Sequence, residues 1–258
     1  MAHRSSRRRA RRRGRFSGLY KLLSALLILA ALVAGCLVFF RAEGVAVSGN
    51  ERYTEEEIVR VSGVTQGENL FALLLRRGEI ADALREQLPY VEAVSIRSAL
   101  PDTLVIEVRE CRAAAYIRYE GADWLLNAGG KLLERVTDGE TGDTVELTGV
   151  TALQPSPGTQ LAVSQEESRK LEDALALLGA LEERGLLAGA DSIDLSSDSR
   201  MEMRYEDRLT VRLAYASDYD YDAKALAAAI DYLGSEERSV VDLTFEDGPH
   251  LYPERPAG

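Results

Sequence analysis

Histidine and cysteine are scarce in this chain of 258 residues, which contains two of each. Zinc ribbons and other multi-cysteine metal sites need more ligands of these types, and disulfide-dense secreted scaffolds need more cysteines, so both classes are excluded. His3 and His250 lie in the two terminal stretches, and no serine or cysteine has a histidine nearby to activate it as a nucleophile. The sequence therefore predicts no enzyme: no catalytic residue, no metal, no cofactor and no small-molecule substrate.

Basic residues are few beyond the first 21 positions, and this shortage divides the chain into two parts of opposite charge. Residues 1–21 hold eight Arg, one Lys and no acid, a charge of +9. The remaining 237 residues hold 22 basic and 42 acidic side chains, a charge of −20. Proteins bind nucleic acid mainly through Lys and Arg on phosphates, so this acidic body predicts no nucleic-acid partner.

Charge is absent from residues 22–40, a run of nineteen residues in which Ser24 is the only polar side chain. A helix of this length spans about 28 Å, close to the hydrocarbon thickness of a bilayer. The sequence therefore predicts a transmembrane helix, Leu22–Phe40, in the lipid bilayer. The Arg-rich tail, residues 1–21, precedes this span, and the positive-inside rule places such a tail in the cytoplasm. Everything after Arg41 is then extracytoplasmic.

Other interpretations of this segment stay open at the level of sequence. A cleaved signal peptide normally has a shorter apolar core, of about 7–15 residues. Residues 33–36, Val-Ala-Gly-Cys, resemble a lipobox, in which Cys36 would be acylated and become the mature N-terminus. Lipoproteins normally turn polar after that cysteine, whereas here Leu37–Phe40 continues the apolar run. We therefore expect an uncleaved anchor, with acylation at Cys36 as the alternative.

The first part of the acidic body carries the pattern of a small α+β unit. A strand around Val45–Val47 is followed by a capping box, Thr54 with Glu57 three residues later, which opens a helix. A second helix is stopped by Pro89, and two strands with alternating apolar residues follow. The predicted order is strand, helix, helix, strand, strand. The predicted core consists of Ile58, Leu84, Val94, Ile96, Leu104, Ile106 and Val108.

The second part has the pattern of a β-meander interrupted by two helices. Short alternating segments are separated by turn residues, one helix carries leucines from Leu171 to Leu181, and another begins near Asp222. The last predicted strand is Val240–Phe245. Residues 248–258 contain three Pro and two Gly and are predicted to be a flexible C-terminal tail.

Five motifs of the body occur in a recognisable order. They are Val-Ala-Val-Ser-Gly-Asn (45–50), Glu-Glu-Ile (56–58), Gly-Glu-Asn-Leu-Phe (67–71), Leu-Pro-Tyr-Val (88–91) and Leu-Pro-Asp-Thr-Leu-Val-Ile-Glu-Val-Arg-Glu (100–110). With the basic tail and the single span, they resemble the FtsQ/DivIB family of bacterial cell-division proteins. The resemblance implies that residues 43–110 are a POTRA domain and residues 111–247 the family's β domain. The expected fold is α+β, with one N-terminal transmembrane helix, a POTRA domain (βααββ) and a mixed β-meander domain with two helices.

The resemblance also implies a function. The chain is expected to be a bitopic membrane scaffold of the bacterial divisome that binds FtsL and FtsB/DivIC-type partners and helps regulate septal peptidoglycan synthesis. It is expected in the cell membrane at the division septum. Two alternatives are a POTRA-containing membrane assembly or translocation component and a membrane-anchored lipoprotein binding module. The former would normally append a membrane β-barrel, for which the remaining ~150 residues are too few.

The C-terminal end of the β domain is the predicted partner-binding site. A last strand is often the edge of a sheet, where unpaired N–H and C=O groups can pair with an incoming strand. The resemblance implies that the FtsB/DivIC-type partner is received there; in the alternative, the strand only packs the core. At such an edge Thr244→Pro is expected to block strand addition. The predicted contact residues are Tyr232, Val240, Asp242, Thr244, Phe245 and Tyr252.

Overall fold

The computed structural model describes residues 17–137, 139–234, 237–245 and 248–253. Its first element is α1, Ser17–Phe39, a helix with an exposed apolar surface. Within α1, the window Gly18–Cys36 is long and apolar enough to cross a membrane, and none of it is buried. The predicted span Leu22–Phe40 overlaps this window. Most of the basic tail, including His3, lies outside the described residues.

The unit that follows α1 is a three-stranded sheet with three helices packed against it. Its elements are β1 (Gly44–Ser48), α2 (Glu55–Ser62), α3 (Leu70–Leu75), α4 (Arg77–Gln87), β2 (Val91–Ala99) and β3 (Thr103–Glu110). The strand order is β1-β3-β2, with β1 parallel and β2 antiparallel to β3. The predicted strands and two predicted helices are present, whereas the short helix α3 has no counterpart in the prediction.

Local capping explains where these helices begin and end. Thr54 Oγ1 accepts a hydrogen bond from Glu57 N, and the Glu57 carboxylate accepts one from Thr54 N, so the predicted capping box is present. Gly63 ends α2 with φ of 64°, which side chains with a Cβ rarely adopt. Asn69 opens α3, because its Oδ1 accepts hydrogen bonds from two backbone N–H groups of the first turn.

The core of this unit lies between its helices and one face of the sheet. Most residues predicted for it are buried: Ile58, Leu84, Ile96, Leu104, Ile106 and Val108. Val94 is only partly buried at the margin of the same cluster. The unpredicted helix α3 contributes Leu70 and Leu73, which are both buried. These contacts explain why a helix of only six residues is stable here, since isolated helices of that length are not.

The remaining chain forms a nine-stranded sheet with two helices. Its elements are β4 (Ala115–Tyr119), β5 (Ala122–Leu126), β6 (Leu132–Val136), β7 (Val145–Thr148), α5 (Ser168–Glu183), β8 (Ala190–Asp194), β9 (Arg200–Tyr205), β10 (Leu209–Ala214), α6 (Tyr219–Tyr232), β11 (Ser239–Asp242) and β12 (His250–Pro253). The strand order is β12-β11-β10-β9-β8-β7-β4-β5-β6. This arrangement confirms a mixed β domain with two helices.

Helices α5 and α6 pack against this sheet and against each other. Alternate residues of β9 and β10 are buried, as the period of a strand requires: Met201, Met203, Tyr205, Leu209, Val211 and Leu213. Tyr219 OH of α6 donates a hydrogen bond to Asp173 Oδ1 of α5 at 2.6 Å. Burial is the main cause that raises the pKa of Tyr219, and the bond to Asp173 adds to it. The neutral hydroxyl therefore remains a donor between the two helices.

The C-terminal segment differs from the prediction. Strand β11 ends at Asp242, because the Asp242 carboxylate accepts hydrogen bonds from Thr244 N and Oγ1 and turns the chain. Residues 250–253 form strand β12, which pairs antiparallel with β11, with Tyr252 opposite Val240. The prediction that Val240–Phe245 is the sheet edge is therefore wrong, and so is that of an unstructured tail over 250–253.

The two folded units meet at one interface. Tyr90 lies between α4 and β2 of the first unit. It packs with Leu125 and Leu133 of the second unit in a small buried cluster. Lys131 Nζ donates hydrogen bonds to Arg85 O at 2.8 Å and to Val91 O at 2.9 Å. Lys131 therefore bridges from the β domain to the C-terminal end of α4 and the start of β2.

A polar cluster borders this interface. Glu134 accepts a hydrogen bond from Tyr90 OH at 2.5 Å and from Arg52 Nη2 at 3.0 Å. The Arg52 guanidinium also lies over the Tyr90 ring, 3.8 Å from its centroid. Burial, followed by the hydrogen bond to Glu134, raises the pKa of Tyr90 well above its ordinary value. The cluster thus joins the turn after β1 to strand β6 through three side chains.

Candidate partner-binding surface

Side chains that could hold a metal ion are not grouped together in the described residues. In this part of the chain, no group of three or more His, Cys, Asp or Glu side chains could hold a metal ion. The His250 ring stacks against Phe245, with the centroids 4.5 Å apart. His250 thus belongs to a surface formed by the C-terminal segment.

The two edges of the large sheet differ in how they are covered. Strand β6 is one edge, and its Leu132 exchanges backbone hydrogen bonds with Gly158 and Thr159, while Glu134 contacts the first unit. Strand β12 is the other edge and, within the described residues, has a paired strand on one side only. Strand β12 therefore offers backbone groups to an incoming strand.

Exposed apolar side chains gather beside this edge. Tyr232, at the end of α6, is 81% exposed, and it is joined by Tyr221, Phe245, Leu251 and Tyr252. A cavity of about 480 Å³ lies between α6 and β12. It is lined by Tyr221, Lys224, Ala225, Ala228, Ala229, Tyr232, Pro249 and Leu251. We call these lining residues, together with Phe245 and Tyr252, the C-terminal surface.

The predicted contact residues divide into two groups. Tyr232, Phe245 and Tyr252 are exposed and belong to the C-terminal surface. Val240 is half-buried in β11 between two paired strands, and Asp242 is buried. Thr244 is half-buried, and its backbone N–H is already bonded to Asp242. The Thr244→Pro substitution would therefore break this turn and would not test strand addition.

Other residues of the surface were missed at the level of sequence. Tyr221, Ala225, Ala228 and Tyr232 recur at spacings of four, three and four along α6, which places them on one side of the helix. This stripe was the available signal, and two tyrosines on an outward face favour an interface role. Leu251 had no comparable signal, because strand β12 has only four residues.

Asp222 lies beneath this surface and next to a second cavity of about 400 Å³. Its side chain is buried, and its Oδ2 has no hydrogen-bond partner among the described residues. Burial raises the pKa of Asp222, and a hydrogen bond to Ser217 opposes this shift. An ionised carboxylate at this position therefore lowers the stability of the fold, because burial removes it from water.

The sequence is similar to that of known proteins in its POTRA-like unit and over longer stretches of the chain. The sequence profile of the POTRA domain, FtsQ-type, matches residues 40–110. The cell division protein FtsQ of Syntrophotalea carbinolica is 31% identical over 160 residues, which are 62% of this chain and 54% of that protein. The cell division protein DivIB of Clostridium acetobutylicum is 26% identical over 213 residues, 83% of each chain.

The chain is thus similar to FtsQ and DivIB proteins, and its residues 40–110 match the FtsQ-type POTRA domain. Its βαααββ unit is the FtsQ-type POTRA domain, with one helix more than the predicted βααββ order, and a β-rich unit follows it. The chain spans about half the length of the first FtsQ relative, at 54%, and less of the FtsQ of Geotalea daltonii, at 42%. The major extracytoplasmic domain of DivIB from Geobacillus stearothermophilus is 18% identical, with a TM-score of 0.30, over 49% of this chain and 98% of that one.

The C-terminal surface lies outside the part of the chain that the POTRA profile matches. The family match therefore concerns the unit that follows α1 and does not extend to this surface. The geometry of the surface consists of an edge strand, an apolar cavity and exposed aromatic side chains. A surface of this kind suits a protein segment better than a small polar substrate.

Proposed function

We propose that this chain is a bitopic membrane scaffold of the bacterial divisome. Helix α1 holds it in the cell membrane, with the Arg-rich tail in the cytoplasm and the POTRA and β domains outside. The support is the similarity to relatives that are named cell division proteins FtsQ and DivIB, together with the apolar helix and the charge asymmetry around it. Scaffolding needs correct topology and docking surfaces and requires no reactive cluster.

The partners we propose are FtsL and FtsB/DivIC-type proteins, and the C-terminal surface receives the latter. The observation that carries this proposal is strand β12, an edge strand beside an apolar cavity. A partner segment would add its backbone to β12 and place apolar side chains against Tyr232 and Leu251. Through such partners the chain would help regulate septal peptidoglycan synthesis.

Localisation tests the divisome role. A fluorescent fusion of the full chain is expected to concentrate at the division septum. A uniform distribution around the cell would refute the role and favour a translocation or assembly component. Protease added to spheroplasts is expected to digest the chain after Arg41 and to leave the N-terminal tail intact; a protected β domain would reverse the topology.

Partner binding tests the surface. Leu251→Asp places a charge in the cavity and is expected to weaken binding of the FtsB/DivIC-type partner by at least about tenfold. The matched control is Leu153→Asp, which alters an exposed leucine of the β domain outside this surface. Equal affinities for the two variants would show that the partner binds elsewhere.

Hydrogen exchange separates strand addition from side-chain docking. With the partner bound to the full chain in nanodiscs, the amide of Leu251 is expected to exchange more slowly. Successive N–H groups of a strand point to opposite sides, and an added strand accepts only those that face away from β11. The amides of β9, inside the sheet, serve as the reference. Unchanged exchange in β12 alongside retained binding would limit the contact to side chains.

A further inference from the structure

The POTRA domain is fastened directly to the end of α1. Leu70 N, at the start of α3, donates a hydrogen bond to Phe40 O at 3.0 Å, and Asn69 Nδ2 donates to the same oxygen at 3.1 Å. Ala42 N donates to Glu68 O and Gly67 N to Ala42 O, both at 2.8 Å. Helix α3 therefore begins within hydrogen-bond distance of the end of the apolar run.

The turn between β2 and β3 lies at this same end. Glu43 N donates a hydrogen bond to Asp102 O at 2.8 Å, and Gly44 pairs with Thr103 at the start of the parallel strands β1 and β3. Leu100 is part of this turn and is 62% exposed. Two separate segments of the POTRA domain, α3 and the β2–β3 turn, therefore face the side from which α1 leaves.

Exposed apolar side chains of the POTRA domain are confined to this end. Among the described residues 44–110, the large apolar side chains with high exposure are Phe71, Leu75 (88%) and Leu100. Phe71 also makes an edge-to-face contact with Phe40, with the ring centroids 5.3 Å apart. The opposite end of the domain, with Arg52 and Tyr90, is occupied by the β domain. We call Phe71, Leu75 and Leu100 the proximal rim.

Charge and distance also suit a bilayer surface. Arg41 follows the span, and Arg76 and Arg77 follow Leu75; all three are exposed, and Arg76 lies 3.7 Å from Glu68. Apolar side chains flanked by Arg are typical of segments that lie in the interface of a membrane. Helix α3 is about 9 Å long at 1.5 Å per residue, and it begins at the end of α1. The distance from Leu75 to the end of α1 is therefore roughly the thickness of a headgroup layer.

We propose that the proximal rim inserts into the headgroup region of the membrane that α1 crosses. The POTRA domain then rests on the lipid surface at a fixed tilt and holds the β domain on its far side. This inference rests on the proposed anchoring of α1. It adds a second, lipid contact, which a single helix followed by a freely moving domain would lack.

Lipid quenching tests this contact in the full chain. The sequence has one tryptophan, Trp124, which lies in the β domain and supplies a constant background. The Leu75→Trp and Leu100→Trp variants are reconstituted in vesicles with equal amounts of phosphatidylcholine and phosphatidylglycerol. The acyl chains of these lipids carry bromine at positions close to the headgroups. The emission that each substitution adds is expected to fall by about twofold or more relative to unbrominated vesicles.

Leu153→Trp is the matched control, because Leu153 is an exposed leucine (51%) of the β domain. Tryptophan itself favours membrane interfaces, and this control measures that bias. The emission added by each rim variant is compared with that added by Leu153→Trp. If bromine quenches the rim variants no more than this control, the inference is overturned. Carbonate extraction of the same vesicles reports the anchor separately. A chain that is retained but unquenched refutes the rim contact alone, whereas a chain that is washed off refutes both proposals.

Discussion

The proximal rim and the C-terminal surface are two apolar surfaces at opposite ends of the folded part of the chain. The rim lies beside the end of α1, and the C-terminal surface lies at the far edge of the nine-stranded sheet. Each is presented by a short element, α3 with six residues and β12 with four. Between them, most large apolar side chains are buried. Exposed apolar area is thus concentrated where a neighbour is expected, lipid at one end and protein at the other.

The two surfaces also differ in what supports them. The buried leucines of α3 anchor the rim to the POTRA core, whereas β12 is held by backbone pairing to β11. Contacts between the two domains, through Lys131 and Glu134, decide whether the surfaces keep a constant separation. The following substitutions test this comparison.

The largest expected effect separates the buried core of the POTRA domain from its exposed rim. Leu84→Ala or Ile106→Ala removes a fully buried side chain and is expected to lower the free energy of unfolding by about 2–5 kcal/mol. Leu75→Ala, on the exposed rim, is expected to change it by less than about 0.5 kcal/mol. Urea denaturation followed by circular dichroism measures both. A large loss for Leu75→Ala would assign the rim to the core.

A smaller effect concerns the connection between the two surfaces. Lys131→Met keeps the apolar stem but leaves Arg85 O and Val91 O without the ammonium donor, which is expected to cost about 1–3 kcal/mol. Lys224→Met, at an exposed lysine of α6, is the control. If the domains are rigidly connected, spin-label distances between them are expected to broaden in Lys131→Met only. Unbroadened distances would show that the apolar cluster around Tyr90 is sufficient.

A pH-dependent effect is expected beneath the C-terminal surface. Because burial raises the folded-state pKa of Asp222 above its ordinary value of 3.8, the protonated form is favoured in the fold. This stability is fully present below pH 3.8 and is lost as the pH rises through the folded-state pKa. Asp222→Asn is therefore expected to raise the free energy of unfolding by about 1 kcal/mol at pH 7, and by less as the pH approaches 4.

Thermal unfolding at several pH values measures this difference. Asp231→Asn, on the exposed part of the same helix, is the control and is expected to have no effect. An Asp222→Asn variant that is less stable than the parent at pH 7 would show that the carboxylate has a favourable partner.

The smallest expected effect is at the polar border of the domain interface. Arg52 is half-exposed, so Arg52→Ala is expected to cost at most about 1 kcal/mol even though it loses both Glu134 and the Tyr90 ring. A double-mutant cycle with Glu134→Gln measures the coupling. A coupling well above 1 kcal/mol would identify this cluster, rather than Lys131, as the main connection between the domains.

Long elements with strong local signals were predictable. The charge-free run over 22–40 indicated α1, the Thr54–Glu57 pair indicated the start of α2, and alternating residues in β3 placed Leu104 and Ile106 in the core. The motifs over 45–110 also led to the FtsQ-type POTRA domain, whose profile matches residues 40–110. The signals for α1, α2 and β3 each lie within a single element, so they do not depend on distant parts of the chain.

The sequence by itself determined the apolar helix, the opposite charges on its two sides, the capping and the alternation that builds each core. Only the tertiary structure decided that 250–253 pairs with β11, that α3 is a helix, and that Lys131 reaches across to α4. Segments of four to six residues have too little periodicity to specify their own state. Their conformation comes from neighbours far away in sequence, which supply the hydrogen bonds and buried contacts that these segments cannot form alone.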